Sequence, residues 1–191
     1  MFDRGFKAWC ERTSAQERRA LGVKDFEPLD AFELAKRLGV LVMTATEIPD
    51  LDAESLRVLT KEDPDSWSAV TIAAEQQTLI VLNPAHKEGR ESSNIAHELA
   101  HIIIGHQPTR VDVSEDGFLM LSGFDKKQEE EAKWLAGCLL LPREALIYVK
   151  RQRFSDDAIQ QQYRVSLPML AYRMQVSGVN EQFKRLKQKF H

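Results

Sequence analysis

The stretch that decides the fold lies near the middle of the chain and reads His97-Glu98-Leu99-Ala100-His101. Side chains four residues apart lie on one face of an α-helix, so the two imidazoles can hold one zinc ion between them. Glu98 is rotated round the helix but stays close enough to reach a water on that metal. A metal, a water and a base within one helical turn indicate zinc-dependent peptide hydrolysis.

The residues around this motif favour a metal site over an ordinary amphipathic helix, which can carry two histidines at the same interval. The apolar stripe that would face the core consists of Ile95, Leu99, Ile102 and Ile103. A polar row at helical intervals consists of Asn94, His97 and His101. Gly105 predicts the end of the helix, because glycine tolerates the left-handed conformation found there. We therefore expect a helix over about residues 90–104, with its polar row set between apolar neighbours.

A third ligand is needed, because a catalytic zinc usually has three protein ligands and one open position. One arrangement would place a third histidine at position 107, which is glutamine here. His106 is off that spacing and is expected past the end of the helix. The alternative is an acidic residue from a later helix.

Residues 127–141 are predicted to form that later helix, and Pro142 is predicted to end it. Its buried stripe would consist of Ala132, Ala136, Leu139 and Leu140. Glu129 continues this stripe toward the core and is the predicted third ligand, with Glu131 as the next candidate. Glu130 and Glu131 are rotated away from Glu129, so we expect them to be solvated. A run of acids at a helix start also has a purely structural explanation, since acids favour helix N-termini.

Further elements follow from the pattern of apolar and turn residues. Two strands, over residues 68–72 and 78–82, should pair as a hairpin that Asn83-Pro84 ends. A short helix over residues 29–38 is followed by a β-branched strand over residues 40–44. Residues 107–128 contain no convincing long element.

Composition bounds the class of protein. The chain has 191 residues, of which 43% are hydrophobic and 29% charged, which excludes wholesale disorder. No apolar run approaches the roughly 20 residues that span a bilayer, and the charged start lacks an apolar signal region, so we expect a cytoplasmic protein without a membrane partner. Two isolated cysteines, Cys10 and Cys138, fit a reducing compartment, and Cys138 is expected to be buried.

Charge is spread unevenly. Residues 143–191 carry ten Lys/Arg and four Asp/Glu, a net charge of +6, which leaves −9 on the rest of a chain of net charge −3. A basic segment on an acidic body suggests a nucleic-acid or acidic protein partner. A solvated helical surface explains the same charges without any partner.

The chain resembles the ImmA/IrrE family of metallo-endopeptidases. The resemblance is carried by Asn83-Pro84, by the helix His97–His101 with the trailing Gly105-His106, and by the pattern E-x-x-A-x-x-[FL]-A-x-x-L-L-x-P from Glu129 to Pro142. It covers about residues 28–145. The family usually has Asn at the position of Lys133 and Phe at that of Leu135, and neither departure removes a proposed ligand.

The resemblance implies a cytoplasmic zinc endopeptidase whose protein substrate is commonly a helix-turn-helix transcriptional repressor. It implies His97, His101 and Glu129 as metal ligands and Glu98 as the catalytic base. Zinc is the expected metal, although the same ligands can hold manganese. The alternative is a non-catalytic metal-binding module that regulates a repressor or DNA by contact alone, but a purely structural site has no need of Glu98.

The predicted fold is α+β, with a small antiparallel sheet packed against a zincin-like helical core. We expect an N-terminal helical segment over residues 1–27, the metallopeptidase domain over residues 28–150, and a helix-turn-helix-like extension over residues 151–191. In that extension, Ser166 starts the second helix of a pair, and Arg164 and Arg173 could touch DNA phosphates. A helical pair that packs on the peptidase domain explains its apolar positions equally well.

Two further expectations concern the reaction. The edge of the strand over residues 78–82 could hold the substrate as an added strand, a common way to bind extended peptides. Tyr163 and His106 are weak candidates for stabilising the oxyanion, because each is more often a packing or surface residue.

Overall fold

The structure is a computed structural model, and it describes residues 2–49, 56–57, 60–61, 67–74, 77–86, 88–106, 110–113, 119–122 and 125–189. The sequence pattern also predicts one helical turn near residues 53–59, and this stretch lies outside the described residues apart from residues 56–57. Within the described ranges, no helix is long and apolar enough to cross a membrane.

Helices dominate the chain, and a small sheet interrupts them. The helices are α1 (Phe6–Ala20), α2 (Ala31–Arg37), α3 (Glu88–Ile104), α4 (Lys126–Leu140), α5 (Arg143–Arg151), α6 (Asp156–Tyr163), α7 (Leu167–Val176) and α8 (Val179–Lys189). The strands are β1 (Val40–Thr44), β2 (Ala69–Ala74), β3 (Gln77–Leu82), β4 (Arg110–Val113) and β5 (Leu119–Ser122). The predicted α+β class is confirmed.

The core is built where α3 packs on α4, and the two stripes read from the sequence meet there. The fully buried members are Ile95, Leu99, Ala132, Ala136, Leu139 and Leu140. Ile102 and Ile103 pack half-buried against the same core. Small alanines on α4 let the two helices approach closely. Asp125 caps α4, since its carboxylate accepts from the backbone N–H of Lys127 at 2.7 Å.

The sheet that packs on this core is mixed rather than purely antiparallel. Its strand order is β1-β3-β2. The predicted hairpin is confirmed, because β2 and β3 pair antiparallel from Ala69↔Leu82 to Ala74↔Gln77. β1 runs parallel to β3, from Val40↔Thr78 to Thr44↔Leu82. β3 is therefore the central strand, and the expectation that its edge is free for a substrate is wrong.

One hairpin and one helix went unpredicted. A second hairpin, β4 with β5, pairs Arg110 to Ser122 and Val113 to Leu119 within the stretch expected to lack long elements. Helix α5 begins directly after Pro142, which is its N-cap. Pro142 ends α4 as predicted, but a proline also suits a helix start, because the first backbone N–H groups of a helix need no partner within it.

The C-terminal helix pair α6–α7 docks on α3, the helix that carries His97 and His101. A Cβ built at Gly89 of α3 would lie 2.9 Å from the carbonyl oxygen of Val165, so glycine permits this approach. The Ser166 N–H donates to Ser93 Oγ at 3.2 Å across the junction. Arg164, at the end of α6, pairs with Asp30 at 3.1 Å.

Arg173 holds α7 in place from inside the protein. Its guanidinium is fully buried, donates from Nη2 to Glu11 Oε1 at 2.8 Å, and donates from Nε to the Leu141 carbonyl at 2.9 Å. The expectation that Arg173 could touch DNA phosphates is therefore wrong. The sequence pattern could not show this, because an arginine is usually exposed unless a partner pairs it.

Candidate metal centre

Three side chains from α3 and α4 converge on one point. His97 and His101 lie one turn apart on α3, with ring centroids 4.8 Å apart. Their Nε2 atoms are 3.2 Å apart. Glu129 of α4 reaches both, with Oε2 3.0 Å from His97 Nε2 and Oε1 3.3 Å from His101 Nε2. These residues form a group whose ligand atoms all lie within 4.8 Å of one another.

The spacing of these donor atoms suits a tetrahedral metal. Two donors that each lie about 2.0–2.1 Å from a tetrahedral zinc are about 3.3–3.4 Å apart. The two Nε2 atoms are 3.2 Å apart, and each lies 3.0 or 3.3 Å from a different oxygen of Glu129. Two imidazole nitrogens and one carboxylate are also a donor set that zinc uses in hydrolytic enzymes. The residues present therefore fit the metal that the sequence suggests.

The local electrostatics keep the imidazole of His101 in its metal-binding form. Burial, with a smaller contribution from His97, lowers the pKa of His101 to about 4 against the opposing effect of Glu129. His101 is thus neutral near neutral pH, and only a neutral imidazole can ligate a metal. The hydrogen bond with His97 lowers the pKa of Glu129, so this acid stays a carboxylate.

Glu98 lies beside the cluster and is attached to the sheet. Thr71 of β2 donates from Oγ1 to Glu98 Oε2 at 2.5 Å. Burial raises the pKa of Glu98, while the hydrogen bond from Thr71 opposes that shift. A carboxylate with a raised pKa is a better proton acceptor at neutral pH than an exposed one. Sequence reasoning missed Thr71, because only the packing of β2 against α3 brings its hydroxyl to Glu98.

Glu131 is not the solvated residue that we expected. It is only 8% exposed, whereas Glu130 is exposed as expected. Its Oε2 lies 3.3 Å from His106 Nε2, and its Oε1 lies 3.6 Å from the ammonium of Lys127. His106 covers it because the chain turns back after α3. The group of possible ligands consists of His97, His101 and Glu129, so the structure does not support Glu131 as the third ligand.

Tyr163 is a buried residue whose hydroxyl bonds within the protein. Its side chain is buried, and its hydroxyl donates to the Phe26 carbonyl at 2.6 Å. Burial raises its pKa to about 12. The hydroxyl already has an acceptor, so the expectation that Tyr163 stabilises an oxyanion is not supported.

An open cleft of about 360 Å³ adjoins the cluster on one side. His97 and Glu129 form part of its wall, and the start of α7 contributes Ser166, Pro168 and Met169. Leu167, in the same turn of α7, is 53% exposed. The C-terminal helix pair therefore borders the candidate site rather than standing apart from it.

The chain is similar to known proteins in sequence and in fold. The family model for Peptidase M78, described as the IrrE N-terminal-like domain, matches residues 35–175, well over half of the chain. Among solved structures, the chain is similar to a Mycobacterium tuberculosis transcriptional regulator, at 15% identity and a TM-score of 0.52. That match covers 90% of this chain and 46% of the regulator, so the chain spans less than half of the regulator's length. At this identity the likeness shows the fold alone. No curated protein matches the chain.

Proposed function

Because the chain belongs to the IrrE N-terminal-like, or Peptidase M78, family, we propose that it is a zinc-dependent endopeptidase that cleaves a regulatory protein. The observation that carries the proposal is the convergence of His97, His101 and Glu129, whose ligand atoms lie within 4.8 Å of one another and whose two Nε2 atoms are 3.2 Å apart. Glu98 follows His97 directly in the chain, so a base accompanies the three ligands. The ligand roles and the identity of the metal are predictions, with zinc first and manganese as the alternative.

In this proposal each residue has one task. The two histidines and Glu129 hold the metal and leave a coordination position open. Bound zinc would supply a water of lowered pKa and a Lewis acid for the peptide carbonyl. Glu98 accepts a proton from the attacking water and returns it to the leaving amine. Thr71 holds the carboxylate of Glu98 in one orientation.

The substrate would bind as an added strand on β2. In the described part of the sheet, β2 pairs with β3 on one side only, so its other edge can accept a peptide backbone. Thr71 lies on β2 and contacts Glu98, so a peptide on that edge would run beside the base.

For the substrate itself we propose a helix-turn-helix repressor. This rests on the resemblance to the ImmA/IrrE family, and the fold shared with a transcriptional regulator agrees with a regulatory role. We expect the enzyme to act in the cytoplasm, because Cys10 and Cys138 are both free thiols.

The test uses the purified chain, metal analysis and a helix-turn-helix repressor encoded beside it. Wild-type protein should bind one zinc and cleave the repressor. Glu98→Gln should bind zinc equally well and cleave nothing detectable, because the amide cannot accept the proton. Glu144→Gln is the matched control, since Glu144 is exposed at the start of α5. Turnover by Glu98→Gln would refute the base, and zinc binding without any cleavage would favour the non-catalytic binding module.

A further inference from the structure

Behind the metal-facing side of His101 lies a second pair of side chains that the proposed reaction does not use. His106 Nδ1 is 2.9 Å from His101 Nδ1, and the two rings meet edge to face at 67°. On its other side, His106 Nε2 is 3.3 Å from Glu131 Oε2. The side chains of His106 and Glu131 are 6% and 11% exposed, so water competes little for these contacts.

Backbone geometry at the end of α3 produces this arrangement. Gly105 adopts φ +80, in the left-handed region. The His106 N–H then donates to the His101 carbonyl at 3.0 Å, and the Gly105 N–H donates to that of Ile102 at 3.1 Å. This pair of bonds is a Schellman cap, which folds the chain back over the last turn. It brings His106 directly over His101.

The direction of each hydrogen bond follows from the chemistry of the two ends. A carboxylate only accepts, so His106 must present Nε2–H to Glu131. The ammonium of Lys127 lies 3.6 Å from the other oxygen of the same carboxylate. A neutral His106 protonated on Nε2 has a lone pair on Nδ1. That lone pair can only accept, so His101 must donate from Nδ1–H and keep its lone pair on Nε2.

We propose that His106 and Glu131 are positioning residues that fix His101 as the Nδ1–H tautomer, with its Nε2 lone pair aimed at the metal. The inference rests on the proposed function, because it assigns these residues to the same metal site. The opposite tautomer would put a proton on the nitrogen whose lone pair a metal needs, and would set a lone pair of His106 against the carboxylate of Glu131. Outer residues of this kind set the orientation and basicity of a metal ligand without touching the metal.

The tautomers can be read directly in the metal-free protein. Long-range ¹H–¹⁵N correlation spectra of the imidazole rings, recorded after chelation above about pH 7.5, distinguish protonated from unprotonated ring nitrogens. We expect His106 to carry its proton on Nε2 and His101 on Nδ1, and we expect His101 to lose that preference in His106→Ala. A His106 protonated on Nδ1, or a His101 protonated on Nε2, would overturn the proposal. A merely structural role for His106 would leave the tautomer of His101 unchanged.

Zinc affinity supplies the second readout. His106→Ala and Glu131→Ala should each bind zinc about 10- to 100-fold more weakly than wild type. His106→Asn should recover part of this loss, because its side-chain oxygen can accept from His101 Nδ1–H. The double variant should bind no more weakly than His106→Ala, since Glu131 acts through His106, and additive losses would contradict the proposal.

Glu130→Ala is the matched control, because Glu130 is the exposed neighbour on the same helix, and its zinc affinity should equal that of wild type. Circular dichroism checks that each variant is folded. A wild-type chain that binds no zinc would overturn the proposed function, whereas equal zinc affinity in wild type and His106→Ala would overturn only this inference.

Discussion

The hydroxyl of Thr71 donates to Glu98 across the boundary between sheet and helix, at 2.5 Å. This bond joins the candidate base to β2, the strand on which we propose that the substrate binds. It also opposes the effect of burial, which raises the pKa of Glu98. The orientation and the proton affinity of the base therefore depend on one side chain of β2.

Thr71→Val should raise the pKa of Glu98 further, because the hydrogen bond that favours the carboxylate is lost while the burial remains. A base with a higher pKa is protonated over more of the acidic range, so the acid limb of the profile of kcat/KM against pH should move to higher pH. Thr71→Ser keeps the hydroxyl and should retain the wild-type profile. Identical profiles for Thr71→Val and wild type would show that Thr71 does not tune the base.

Replacing Glu129, the proposed third ligand, should affect zinc binding in a way that replacing Glu130 does not. Glu129→Gln removes the carboxylate that lies within 3.3 Å of both histidines. The loss of a residue that only contacts a metal ligand weakens zinc binding by up to about 100-fold, and Glu129→Gln should weaken it by more. Glu130→Gln should bind zinc as wild type does, because Glu130 points to solvent. Competition titration with a zinc chelator measures both constants. Unchanged affinity in Glu129→Gln would require a different third ligand.

The sequence predicts the helices of the site well, because their signal is local. Helical periodicity locates the stripes that bury Leu99 and Ala136, and the same face argument brings Glu129 into the group with His97 and His101. Gly105 ends α3 as expected. These inferences need only the geometry of a single helix and the contact of two apolar faces.

Contacts between distant parts of the chain were not predicted from the sequence. The parallel pairing of β1 with β3 removes the free edge expected for residues 78–82, and nothing local to that strand signals it. Glu131 is buried because the cap at Gly105 returns His106 over it. The pair Gly105-His106 belonged to the family resemblance, so it was the available clue to this contact.

The metal-free protein should lose stability as the pH falls, partly through His101. Its folded-state pKa is lowered from 6.5 to about 4, so between these values the unfolded chain binds more protons than the folded one. The contribution of His101 is therefore present above pH 6.5 and is lost as the pH falls toward 4. Urea unfolding of the chelated protein at several pH values measures this effect. As the pH is lowered, the free energy of unfolding should fall less for His101→Gln than for wild type. An equal fall in both proteins would mean that the folded state does not depress this pKa.

Gly137→Ala should destabilise the fold, although the same change within a helix normally stabilises it. A Cβ at this position would lie 2.4 Å from Cδ of Arg173, whose guanidinium is fixed by Glu11 and by the Leu141 carbonyl. Glycine to alanine inside a helix normally stabilises by about 1 kcal/mol. Here the forced overlap should instead destabilise the fold by about 1–3 kcal/mol.

Urea unfolding of Gly137→Ala, Arg173→Met and the double variant measures this effect as a cycle. Without the fixed guanidinium, the flexible methionine can move aside, so Gly137→Ala should cost less in the Arg173→Met background than in wild type. The free thiol of Cys138 lies next to Gly137 in the same buried helix, so the experiment is run under reducing conditions. A stabilising Gly137→Ala would show that Arg173 does not lie against this glycine, and would reopen the question of where the α7 arginine points.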